Sequence, residues 1–230
     1  MLRTTILLIL DMFPAATGAV ADSCPQSSVC AHQCAFSPAA VRDTSYFFAC
    51  GAYGYSEAGE RYDLGAGTAS STAAGDNDCP ASGSLATYDV FRLVGPASGT
   101  PLAFSAIARL AGNVESACDP YAYASASVHF EEAGGKSRDF ALSLSTYSCG
   151  AQPIDQSLGI PLAHAVGDTF TLVVRLASSA QGYSAATIES QLGFEGLPQG
   201  YAVVSCQGFV SDPNVPVRAV SWGRVKATYR

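Results

Sequence analysis

Apolar and polar residues alternate along most of the chain with the two-residue period of a half-buried β-strand. The clearest case is Thr169–Leu176, where Phe170, Leu172, Val174 and Leu176 point one way and Thr169, Thr171 and Arg175 the other. Ala186–Glu195 repeats it, setting Ile188, Leu192 and Phe194 against Thr187, Glu189, Gln191 and Glu195. Tyr121–Glu131 alternates Ala122, Ala124, Ala126, Val128 and Phe130 with Tyr121, Tyr123, Ser125, Ser127, His129 and Glu131. It leads through Ala133-Gly134-Gly135-Lys136, a good hairpin turn, into the alternating Phe140–Ser145. Further strands are expected at Tyr46–Tyr55, Tyr62–Thr68, Leu85–Val94, Leu102–Leu110, Tyr201–Phe209 and Val217–Thr228. No segment sustains the 3.6-residue period of an amphipathic helix.

Short strands with one apolar face and frequent Gly and Pro turns indicate an all-β fold. The expected architecture is an antiparallel β-sandwich, jelly-roll-like, of about eight to ten strands. Its core should hold most of the Phe, Leu and Val side chains. The Gly-, Ala-, Ser- and Asp-rich stretch Gly65–Ser84 reads as a linker or a long surface loop.

The N-terminus breaks this texture. Arg3 precedes the apolar run Ile6–Leu10, which is followed by the small-x-small sequence Ala19-Val20-Ala21. A run this short cannot span a bilayer and fits the central region of a secretory signal, so residues 1–21 are expected to be removed before Asp22. No later stretch is apolar and long enough to be a membrane-spanning helix.

All eight cysteines lie after that point: Cys24, Cys30, Cys34, Cys50, Cys79, Cys118, Cys149 and Cys206. An even number in an oxidising compartment implies disulfides, with 105 connectivities open for eight. Cys24, Cys30 and Cys34 suggest a stapled Cys-rich N-terminal cap over residues 22–43, leaving 44–230 as one sandwich domain. Zinc is disfavoured because no second Cys or His pair follows Cys30-x-His32-x-Cys34 at finger-like spacing.

Charge narrows the partners. Charged residues are only 13% of the 230, and the net charge is −7. Among the twelve cations only Lys136 and Lys226 are lysine. A charge-poor surface rich in Ser, Thr and Tyr suits a secreted or extracellular protein, and the Arg bias suggests a bacterial, GC-rich source. Nucleic acid is excluded as an expected partner, because binding it requires clustered cations.

No motif pairs His32, His129 or His164 with a nucleophile, and no Gly-x-Ser-x-Gly or His-Glu-x-x-His occurs. Asp76-Asn77-Asp78, with Asp63 nearby in sequence, offers the hard oxygen ligands of a calcium site; no other cofactor is indicated. Glu131-Glu132 could supply one half of a glycosidase pair, which needs two carboxylates about 5–10 Å apart. Tyrosines carry the best binding signal. Tyr46, Tyr53, Tyr55, Tyr62, Tyr121 and Tyr123 lie on or beside expected strands, where outward rings would meet a glycan or a surface protein. Tyr53, Tyr55, Tyr121 and Tyr123 are the binding candidates.

Gly196-Leu197-Pro198-Gln199-Gly200-Tyr201 and Tyr88-Asp89-Val90-Phe91 carry a resemblance over Leu85–Arg230. This part is similar to exported bacterial β-sandwich proteins of unknown function, including the ectodomains of PEP-CTERM-type sorted proteins. The sorting tripeptide, apolar anchor and basic cluster of those proteins do not occur in Pro216–Arg230, so sorting is not implied. The expected function is that of a secreted, non-catalytic binding, adhesion or structural module. The alternative is an exported, carboxylate-dependent hydrolase of polysaccharide.

Overall fold

The computed structural model describes residues 28–31, 33–36, 41–50, 54–76, 79–205 and 207–211. The expected signal segment and the expected last strand, Val217–Thr228, lie outside them. Fourteen strands are present among the described residues: β1 (Ser28–Ala31), β2 (Gln33–Phe36), β3 (Val41–Cys50), β4 (Gly54–Asp63), β5 (Thr68–Gly75), β6 (Ala81–Val94) and β7 (Pro101–Ser116), followed by β8 (Tyr123–Glu132), β9 (Ser137–Ser145), β10 (Gly150–Ala165), β11 (Thr169–Gln181), β12 (Ser184–Glu195), β13 (Ala202–Ser205) and β14 (Val210–Ser211). They form two antiparallel sheets packed face to face, the sandwich that the alternation implies. One sheet runs β14-β13-β6-β11-β8-β9, with β1 also pairing β6 and β2 pairing β1. The other runs β10-β7-β12-β5-β4-β3. These are the first and the second sheet.

Inward alternation builds the core as expected. From the first sheet come Leu85, Phe91, Val128, Phe130, Phe170, Leu172, Val174 and Leu176; from the second come Phe104, Leu110, Val114, Ile154, Ile160 and Ile188. At about 25 cal/mol per Å² of apolar surface, burying each large side chain contributes roughly 1.5–3 kcal/mol. Phe91 sits among Phe170, Phe194 and Phe209, with ring centroids 5.6–5.9 Å away.

Three sequence expectations need correction. The described residues of this stretch, 65–76 and 79–84, are neither a linker nor one long loop. They hold the turn at Leu64–Gly67, strand β5 and the start of β6. Their small side chains serve close sheet packing: Ala69, Ser71 and Ala73 are buried, and the Ser71 and Ser178 hydroxyls meet across the interior at 2.8 Å. A Cβ on Gly83 would lie 2.7 Å from Ser71 Oγ, so the sheets touch there with no room for larger residues. This half of the interior is polar. Buried Glu60 of the second sheet accepts a hydrogen bond from Ser84 N of the first at 3.1 Å.

Second, β10 was not expected at all. Pro153, Gly159 and Pro161 hide it, yet all sixteen residues pair with β7. In the second sheet's strand order β10 lies at the edge, where proline costs no ladder donor if its nitrogen faces away from the partner. Third, Tyr62 does not face out; it is buried in the core at 3% exposure.

Two glycines fit their surroundings closely. Gly134, with φ 75°, makes the β8–β9 hairpin turn at Ala133–Lys136. Gly112 sits opposite Ile154 and Ile188, and a Cβ there would lie 2.1 Å from Thr187 O.

The Cys118–Cys149 disulfide, with Cα atoms 5.1 Å apart, ties the end of β7 to the start of β10. Cys79 is also disulfide-bonded. The side chains of Cys30, Cys34 and Cys50 are not among those described, and neither are Cys24 and Cys206. In the backbone, Cys30 and Cys34 are direct partners of the β1–β2 pair.

Candidate functional site

Four large apolar side chains are exposed among the described residues, and all four are tyrosines: Tyr121 (67%), Tyr123 (41%), Tyr147 (100%) and Tyr183 (57%). They share one end of the sandwich, because three connections converge there. Tyr121 ends the β7–β8 connection, where Asp119 Oδ1 accepts from Tyr121 N at 3.0 Å. Tyr123 opens β8 between Gln181 of β11 and Ser145 of β9. Tyr147 occupies the short 3₁₀ turn Thr146–Ser148 that follows β9. Tyr183 lies in the β11–β12 turn, and its carbonyl accepts from Ala117 N at 3.2 Å. Gly182 lets that turn approach Tyr121: a Cβ on it would be 3.3 Å from the Tyr121 carbonyl carbon. The Cys118–Cys149 bridge spans this same end and holds two of the loops together.

Of the sequence candidates, Tyr121 and Tyr123 thus fall in one cluster. Tyr53 lies outside the described residues, and the side chain of Tyr55, whose backbone is in β4, is also outside them. Tyr147 and Tyr183 are not marked by the sequence pattern, because turns carry no alternation that assigns a face. The available signal was their neighbourhood, since Tyr147 stands two residues before Cys149.

From Tyr123 the outer face of the first sheet continues over small side chains, with the Ser125 and Ser179 hydroxyls 2.9 Å apart. It ends in a charged network across four strands. Asp139 of β9 and His129 of β8 approach at 2.6 Å, His129 Nε2 lies 3.1 Å from Glu131, and Glu131 lies 2.8 Å from Arg175 of β11. Arg175 donates to Tyr88 Oη at 3.4 Å and lies over that ring. Hydrogen bonding to Asp139, and then to Glu131, raises the His129 pKa above its usual value. The bond from His129, with Arg175 beside it, holds the Glu131 carboxyl below the usual range.

These directions fix a pH dependence. The His129 contribution is full below about pH 6.5 and fades as pH rises through its higher folded value. The Glu131 contribution is present above about pH 4.5 and fades on acidification below it. The network therefore stabilises most between about pH 4.5 and 6.5. Partly exposed pairs are each worth about 0.2–1 kcal/mol, so His129→Gln should cost about 1 kcal/mol near pH 5.5 and much less by pH 9. Thermal unfolding of both proteins across that range checks it; a difference that grows with pH would refute the assignment.

The carboxylates do not assemble as a catalytic pair around Glu131-Glu132. Consecutive strand residues face opposite sides. Glu131 joins the outer network, whereas Glu132 Oε1 lies 2.8 Å from His164 Nε2 of the other sheet. His164 is in β10, stacked on Phe170 with centroids 4.4 Å apart. Asp76 forms an isolated bridge with Cys79, and Asn77 and Asp78 lie outside the described residues. Among the described residues no group of three or more His, Cys, Asp or Glu could hold a metal ion. Asp63 lies elsewhere, in a depression on the outer face of the second sheet. No described helix is long and apolar enough to cross a membrane. No family model matches the chain, and no curated protein is detectably similar to it.

Proposed function

We propose that this is a secreted, non-catalytic binding module that attaches to a protein on a cell surface through its tyrosine end. The observation that carries the reading is the gathering of every described, exposed large apolar side chain at that end. Tyrosine is enriched at interface cores because its ring buries apolar area while its hydroxyl keeps a hydrogen bond. The Cys118–Cys149 bridge lowers the ordering cost of docking by holding the loops in advance. The even number of cysteines, the N-terminal segment and the sparse charge support an oxidising, extracellular setting. The hydrolase alternative loses support because Glu131 and Glu132 face opposite sides of their strand and the Glu131 carboxyl is engaged by His129 and Arg175.

The test is binding of labelled protein to intact cells of the producing organism. Tyrosines at interface centres are each worth about 1–2 kcal/mol or more, so Tyr121→Ser/Tyr147→Ser/Tyr183→Ser should weaken binding at least about tenfold. These side chains are exposed, so the melting temperature should stay unchanged. Protease treatment of the cells should abolish binding. Binding that survives either treatment would sink the proposal.

A further inference from the structure

The outer face of the second sheet carries a second, chemically different feature: a depression of about 460 Å³. That is within the roughly 300–1,000 Å³ of small-ligand sites. Two adjacent register rows build it. Asp155, Ala111, Glu189, Ser70 and Arg61 follow one another across five strands from β10 to β4. Beside them run Arg109, Gln191, Thr68 and Asp63. Strands are about 4.8 Å apart, so the row crosses roughly 19 Å of sheet. The floor is low where the side chains are small, at Ala111 on one side of the central strand β12 and at Ser70 and Thr68 on the other, while Glu189 and Gln191 rise from β12 and longer polar side chains stand at the margins.

Those side chains have capacity to spare. Among the described residues, none is hydrogen-bonded to or ion-paired with the side chains of Arg61, Asp155 or Glu189, and all three are exposed. Asp63 accepts from Ala66 N, and Arg109 reaches Glu195 at 3.5 Å. The chemistry selects the ligand. Three carboxylates against two guanidinium groups leave no surplus of cations for a phosphate, sulfate or uronate chain. The carboxylates are too dispersed to form a metal cage. No aromatic side chain lines the floor, so there is no pocket to anchor an apolar peptide residue. What remains suited is a ligand offering many hydroxyls, each able to donate to a carboxylate and accept from a guanidinium or amide.

We infer that this depression is a binding site for a neutral oligosaccharide lying across the strands from Asp155 to Arg61. It is separate from the tyrosine end, so the protein would join a glycan to a protein surface.

Affinity electrophoresis of the full chain tests this, using gels cast with hydroxyethylcellulose, xyloglucan, galactomannan or dextran, and polygalacturonate as an anionic control. The expected result is retardation by at least one neutral glycan and none by polygalacturonate. Ser70→Arg, which fills the floor, and Asp155→Asn/Glu189→Gln, which removes the carboxylates, should each weaken binding at least tenfold. Far-UV circular dichroism checks that both variants fold, and the second, at exposed positions, guards against misfolding of the first. The triple tyrosine variant should bind the glycan normally, which separates failure here from failure of the tyrosine docking reading. Absence of retardation in all four neutral gels would overturn the inference. So would retardation that both depression variants retain, or reducing ends released from the bound glycan.

Discussion

Replacing Phe91 with alanine should lower the unfolding free energy by about 3–5 kcal/mol, the usual cost of deleting a buried phenylalanine. Phe91 is 1% exposed and stands at the middle of the aromatic cluster, stacked on Phe170 and edge-on to Phe194 and Phe209. These rings come from both sheets and from the segment joining β13 to β14, so one deletion removes packing that holds three parts together. A loss this size is a large share of the roughly 5–15 kcal/mol of a typical domain. Urea unfolding followed by far-UV circular dichroism reads it. Phe91→Leu keeps most of the volume and should cost under about 1.5 kcal/mol. An alanine variant that loses less than about 1 kcal/mol would mean that the ring is not in a packed core.

Removing the Cys118–Cys149 bridge should cost about 3–4 kcal/mol, because it closes a 31-residue separation and restricts the unfolded chain. The enclosed segment is the β8–β9 hairpin with the Tyr147 turn, so the loss should be felt at the binding end as well. Cys118→Ser/Cys149→Ser, made together to avoid a stray thiol, should unfold at lower urea. It should also be cut by protease near Tyr121 and Tyr147 before the sheets are attacked. Binding to cells should weaken even at temperatures where the double variant is folded, since the loops then pay their ordering cost on docking. Unchanged binding by a folded double variant would show that the bridge does not organise the tyrosine end.

The fold class was legible because a two-sided strand must write its burial into alternate positions. Phe170, Leu172, Val174 and Leu176 are buried as their spacing demanded, and so are Ala124, Ala126, Val128 and Phe130. Strands built on other principles were silent. In β5 the inward residues are Ala and Ser, which the close approach of the sheets requires but which a hydrophobicity pattern does not register. In β10 the prolines look like strand breakers until pairing along one edge shows where they are tolerated.

The candidate sites divide in the same way. Alternation put Tyr123 and His129 on an outer face, and that is where they lie. Tyr147 and Tyr183 join Tyr121 and Tyr123 only because three connections meet beside one disulfide. Asp155 and Arg61 are 94 positions apart in the chain, yet they share a register row. By itself the sequence determined the strand texture, the inward faces and the scarcity of charge, since each depends on residue type and local spacing. Only the tertiary structure decided which outward residues became neighbours. That choice rests on strand order and register, which are set by non-local packing of two sheets and leave no local mark on the chain.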